Sequence, residues 1–176
     1  MVEYRSGQPA TDFLALDVLF VFSLVLQHFS IVSIFTRGNL MTYNKPIPTR
    51  GTHTVPFWEG AKEGKLMLPR CQDCNRVHWY PRFICPHCHS TNLEWVEASG
   101  EGKIHTYAVQ HLVFGPWEPE APYVTAYIDL NEGDRMLTVL RGVDPEKPED
   151  IKIGARVKIE FEQANEDTYI PFWRVI

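Results

Sequence analysis

All four cysteines of this chain fall in one short stretch, "LPRCQDCNRVHWYPRFICPHCHS", as Cys71, Cys74, Cys85 and Cys88. They form two C-x2-C pairs with ten residues between them, and none is left over. A two-residue gap lets the backbone turn tightly enough for both sulfurs of a pair to reach one ion. Two such pairs then complete a tetrahedral site. Disulfides between such close cysteines belong to secreted chains, whereas this spacing reads as metal. Four sulfurs leave the ion no open position for water, so the site is expected to be structural rather than catalytic. Zinc is the expected metal, and iron accepts the same ligands. His78, His87 and His89 sit beside the cysteines and read as surface histidines, because the four thiols suffice.

The metal motif dictates what surrounds it. "KLMLPRC" reads as a strand running into the first pair, and "HWYPRFICPHC" leads into the second, so each pair is expected at the tip of a short hairpin. That is a zinc ribbon. In so few residues with little core, the metal is expected to supply much of the stability. Before it, "THTVPFWEGAKEGKL" predicts a short helix over about 55–63. Thr54 suits the N-cap, Pro56 the first turn and Gly64 the stop. Phe57 and Ala61 share one helical face, with Trp58 beside them. Gly60 weakens the helix from within. Residues 41–53 are polar and Pro-containing, and read as an arm.

From Trp95 onward the text turns to β. "GKIHTYAVQH", "YVTAYIDL", "RMLTVLRGV", "RVKIEFEQA" and "IPFWRVI" are rich in Val, Ile, Thr and aromatic residues. Val157, Ile159 and Phe161 alternate with Lys158, Glu160 and Glu162. The connections leave no room for crossover helices, so an antiparallel sheet is expected, closed as a small five-stranded barrel of the OB type. The fold class is thus mainly β: arm, helix and ribbon over 41–93, and an OB-fold barrel over 94–176. The long connection 111–123 contains Phe114 and Trp117, and either contacts a partner or caps the barrel end.

Residues 1–40 are a different text. The run 13–35 is close to the length of a membrane span, broken by Asp17, Gln27 and His28. A secretory signal is poorly matched, since Arg5 is offset by Glu3 and Asp12. The preferred reading is an extension outside the functional protein, with domain-like sequence starting after Met41. The protein is then cytoplasmic, with membrane contact only if residues 13–35 are made.

Charge narrows the function. The chain carries 17 Lys and Arg against 22 Asp and Glu, a net charge of −5, which argues against a nucleic-acid binder. Residues 45–90 hold a balance of +4 and residues 91–176 one of −8. The basic front could hold a small anion, or the asymmetry is surface scatter. Phe57, Trp58, Trp79 and Tyr80 either line a groove for an apolar chain, with Arg70, Arg76 and Arg82 near its mouth, or form the core under the ribbon. Asp129, Glu132 and Asp134 read as a solvated turn. With every cysteine committed to metal, no nucleophile–base arrangement stands out, and "SGEGK" at 99–103 lacks the context of a phosphate loop.

Taken together, the "PFWEG" helix, the "GKL" strand, C-x2-C, "PR" before "CPHC", and the "WVEASGEGK" stretch ahead of the barrel resemble the DUF35 family. The resemblance covers roughly residues 50–176. It implies an N-terminal helix, a rubredoxin-like zinc ribbon and an OB fold. It also implies a non-catalytic accessory subunit that associates with thiolase-like or condensing enzymes and helps bind acyl-CoA. The ribbon–helix side is then the expected CoA region, with Phe57, Trp58, Arg70, Arg76 and Arg82 as candidate contacts. The alternative is a nucleic-acid-binding zinc-ribbon/OB module.

Overall fold

The structure is a computed structural model and describes residues 43–176. The 1–40 extension, with its apolar run 13–35, lies outside the described residues. Among the described residues no helix is long and apolar enough to cross a membrane.

The arm leads through a 3-10 turn, Thr52–Thr54, into helix α1, Val55–Lys62. Pro56 lies in the first turn, and Gly64, at φ +75°, follows the helix end in the left-handed region. Thr54 precedes the helix but caps nothing with its side chain. Its hydroxyl donates instead to the Gly51 carbonyl at 2.8 Å and accepts from Trp58 Nε1 at 3.2 Å. Gly60 now has a reason: a Cβ there would stand 2.3 Å from Met67 Cγ. The helix lies that close to the strand that follows.

Strand β1 (Met67–Cys71) pairs antiparallel with β2 (Leu93–Glu97), from Met67↔Glu97 to Cys71↔Leu93. β2 therefore closes the ribbon from behind and is separate from the barrel sheet. "HWYPRFICPHC" forms no strand, and only a single bridge, Arg70↔Val77, closes the first hairpin. Pro81 and Pro86 offer no N–H for a ladder, so the second cysteine pair sits on a turn rather than on a strand hairpin.

The barrel uses β3 (Glu101–Gln110), β4 (Tyr123–Leu130), β5 (Arg135–Arg141), β6 (Arg156–Gln163) and β7 (Tyr169–Val175). It closes in the order β3-β4-β5-β7-β6. One pair departs from the antiparallel expectation: β5 and β7 run parallel at Leu140↔Trp173 and Arg141↔Arg174. Parity requires this, because strands cannot alternate in direction all the way round a ring of odd number. Alternation along each strand points Val124, Ala126, Ile128 and Leu130 of β4, and Met136 and Leu140 of β5, inward. Trp173 of β7 is fully buried among them.

The ribbon does not stand on its metal alone. Phe57, Trp58, Leu66, Leu68 and Val77 belong to the same apolar cluster as the barrel core. The β4–β5 turn adds polar fastenings. Asp134 Oδ2 accepts the Trp79 N–H at 2.5 Å, and Glu132 Oε1 accepts the Ser99 N–H at 2.6 Å. These carboxylates, expected to be solvated, tie ribbon to barrel. The arm is tied down as well: Lys45 is buried, pairs with Glu120, and lies 5.0 Å from the Trp117 ring centroid. Arg50 reaches Thr168 on the β6–β7 connection at 3.1 Å.

Candidate metal centre and the basic face beside it

The two knuckles are built alike. The Cys71 N–H donates to the Arg76 carbonyl and the Cys85 N–H to the Ser90 carbonyl, both at 2.8 Å. Asn75 (φ 57°) and His89 (φ 62°) each follow the second cysteine of a pair in the left-handed region. Asn and His tolerate that region better than most residues, which lets each chain double back. Asp73 joins the two turns, accepting from Ser90 Oγ at 2.5 Å and from Asn92 Nδ2 at 3.0 Å.

The four sulfurs converge. Cys71 Sγ and Cys88 Sγ are 3.5 Å apart, Cys74 Sγ and Cys85 Sγ 3.7 Å, and all four lie within 4.8 Å of one another. A tetrahedral ion with Zn–S bonds of about 2.3 Å needs sulfurs about 3.8 Å apart. The donor set therefore fits zinc in both chemistry and spacing. Backbone N–H groups at Cys74 and Asp73 help hold the Cys71 thiol down to about 7. The Ser90 N–H favours the Cys88 thiolate, but the neighbouring thiols and burial outweigh it and push Cys88 up to about 12. A dication is ligated by thiolates and not by thiols, so its binding here would release the thiol protons.

Of the expected CoA contacts, most are placed elsewhere. Phe57 and Trp58 are 3% and 5% exposed and belong to the core. Arg70 is spent on Glu94, with Nε at 2.8 Å and Nη2 at 2.6 Å from Oε1. Arg76 is exposed on the first knuckle. Only Arg82 lines the clefts beside the metal site. One cleft, about 450 Å³, runs from Arg82 past Phe83 and Ile84 to His89. Its neighbour, about 240 Å³, lies between Arg82, Phe83, His53 and Trp95. Phe83 is 66% exposed and was not singled out by the sequence. The available signal was weak: Arg-Phe-Ile-Cys between two prolines, in a segment too short to bury both sides. An aromatic chain mounts this face on the core, from Phe57 through Trp79 at 5.2 Å and Tyr80 at 5.3 Å to His53 at 6.2 Å and Phe83 at 5.1 Å.

His78 is not on the surface. It is 1% exposed, and neither ring nitrogen has a hydrogen-bond partner of normal geometry. Burial pushes its pKa down, only partly offset by the Arg82 carbonyl and the Asp134 carboxylate.

Known proteins share this arrangement. Residues 58–94 match the ChsH2 rubredoxin-like zinc ribbon domain, and residues 95–162 match the ChsH2 C-terminal OB-fold domain. A "DUF35 domain-containing scaffold protein" of Methanocaldococcus jannaschii is 39% identical over 120 residues, covering 67% of this chain and 83% of that protein. A "Probable enoyl-CoA hydratase alpha subunit" of Thermomonospora curvata is 35% identical over 132 residues, covering 74% of this chain. The chain spans only 40% of that subunit's length. Among solved structures, a chain of the "Ltp2-ChsH2(DUF35) aldolase" aligns with a TM-score of 0.64 at 33% identity. The alignment covers 73% of this chain and 98% of that one. With the ribbon match running directly into the OB-fold match, and most of a scaffold relative covered at this identity, the chain belongs to the DUF35 family.

Proposed function

We propose that this protein is a non-catalytic accessory subunit in acyl-CoA metabolism. It holds a thiolase-like partner enzyme and offers the CoA portion of the substrate a basic, aromatic face on its ribbon. The observation that carries this reading is the exposed Arg82–Phe83 pair between two adjoining clefts, mounted on a metal-stapled platform. Arg82 suits a phosphate, Phe83 suits the flat adenine ring, and the clefts suit a thin pantetheine arm. The relatives' names, a hydratase subunit, a scaffold protein and a two-component aldolase, support the accessory role. The metal is zinc, held by Cys71, Cys74, Cys85 and Cys88 with no coordination position left for chemistry. The protein works in the cytoplasm, where acyl-CoA is handled.

A nucleic-acid role is less well supported. On the outer barrel face Arg135 is paired with Asp129, and Arg141 with Glu160 and Glu162, so these cations are already neutralised.

Titration of the metal-loaded protein with CoA in a calorimeter tests the ligand half. Binding is expected, weakened about tenfold or more by Arg82→Ala, the scale of losing one charge-assisted contact. Phe83→Ala is expected to weaken it as well, and Arg70→Ala to change little. No heat with wild-type protein, or equal affinity for Arg82→Ala, contradicts this placement of CoA.

A further inference from the structure

The outer face of the barrel carries a patch that the metal centre and clefts do not use. On β3, β4 and β5, cross-strand neighbours share a face. Thr106 pairs with Tyr127, which pairs with Leu137. In the next row on the same side, Ala108 pairs with Thr125, which pairs with Val139. Two full rows across three strands therefore present no charge. Tyr127 and Leu137 are 44% and 54% exposed.

Both ends of this panel are bordered by charged side chains, and at the first of them the exposed Lys103 also stands opposite Asp129. At one end Asp129 accepts from Arg135 Nε at 2.7 Å and pairs with His105 Nδ1 at 2.9 Å. A register shift between Ile104 and Thr106 places the extra residue His105 there. At the other end Arg141 is paired with Glu160 and Glu162, and Arg174 with Glu160.

From that second end the connection 111–122 leaves the sheet. It raises two more apolar side chains, Leu112 and Phe114, each 78% exposed. The connection is braced at its base by the pairing of Lys45 with Glu120 and by Trp117 against Tyr123 at 5.3 Å. A groove of about 330 Å³ opens beside it, with Val139 and Phe172 in its walls. A braced loop holding two large apolar residues in water is unfavourable for an isolated monomer and favourable at an interface.

We propose that this panel, with the Leu112–Phe114 tip, is the surface on which the partner enzyme's subunit packs, through a face of that subunit that is itself uncharged and apolar. This rests on the accessory role proposed above and names the surface that serves it. Three features choose this occupant. A polyanion would find no cation in the panel's two rows, and Arg135 and Arg141 at its borders are already paired with carboxylates, which leaves Lys103 beside Asp129 as a single exposed cation at one end. β4 is hydrogen-bonded on both sides, so a strand cannot be added to it. The related chain that aligns over nearly its whole length was solved in a two-component aldolase.

The test uses the thiolase-like enzyme recovered with tagged wild-type protein from its own cells, then purified and immobilised on a biosensor. Leu137→Arg and Phe114→Asp change exposed positions, so metal content and melting temperature are expected to stay as in wild type. Each is expected to weaken binding about tenfold or more, as at the centre of an interface. Ile153→Arg, 60% exposed on the β5–β6 connection, is expected to bind as wild type does. If Leu137→Arg and Phe114→Asp both bind with wild-type affinity, this surface assignment is overturned while the accessory role stands. If no thiolase-like enzyme accompanies the wild-type protein, both are overturned. A self-dimer abolished by Leu137→Arg, or an oligonucleotide complex abolished by it, would assign the panel to those occupants and overturn the proposal.

Discussion

Gly102 stands where β3 meets both β4 and β6, and the barrel closes tightly around it. A Cβ there would lie 2.6 Å from the Asp129 carbonyl oxygen and 2.7 Å from Ile128 Cγ2. The oxygen belongs to the β4 ladder and cannot swing aside. Gly102→Ala is expected to cost about 1–3 kcal/mol, as overpacking does, read from the urea midpoint at unchanged slope. His78 makes a second residue-scale prediction. Burial holds its pKa below the ordinary 6.5, so over that window the unfolded chain binds a proton that the native protein does not. Stability must then rise with pH and fall as pH drops through 6.5. In metal-loaded protein, His78→Phe is expected to flatten the slope of stability between pH 7.5 and about 5.5 relative to wild type. Parallel slopes for the two proteins would contradict it. Nothing local in "NRVHWY" marks His78 as buried. Its place depends on the ribbon closing over it.

The elements were legible to different degrees, for physical reasons. The metal knuckles are set by a few adjacent residues, so spacing alone places Cys71, Cys74, Cys85 and Cys88 together. The five barrel strands follow from period-two alternation, a local property. Strand partners are not local. β2 reads as the start of the barrel text, yet its register with Met67–Cys71 makes it ribbon. The expectation of a wholly antiparallel sheet missed the parallel β5–β7 pair, which parity demands of any closed ring of five strands. The aromatic pair Phe57–Trp58 and the aromatic Phe83 look alike in sequence, and only packing against Leu66 and Leu68 sends the former inside.

That shared core also sets what metal removal will do. Stripping the ion, or Cys71→Ser, is expected to free the knuckles. Amide exchange should then rise at Cys71 and Cys85, whose N–H groups close the turns. Amides of Val124 and Val157 in the barrel should stay protected. Loss of protection throughout would mean the barrel depends on the metal too. Lys45→Met removes the brace on the 111–122 connection, so faster exchange at Ala121, whose N–H bonds Glu118, is expected with little change in melting temperature. Unchanged exchange there would show that Trp117 and Tyr123 hold the loop alone.

At the scale of the molecule, the two proposed roles fall on two different faces. The ribbon turns a basic, aromatic strip toward solvent at Arg82 and Phe83. The barrel turns an uncharged panel outward at Tyr127 and Leu137. A common core joins them, so the proposed partner surface and the proposed ligand surface stand in fixed relation to each other. The central claim is that the protein serves a larger enzyme, and one measurement meets it most directly. The protein, tagged and expressed at native level in its own cells, is captured, and what accompanies it is identified and quantified. The account predicts a thiolase-like or condensing enzyme in near-equal amount, with acyl-CoA turnover in the complex and none in the captured protein alone. Recovery of the protein by itself, or with nucleic-acid-binding proteins in that enzyme's place, would contradict it.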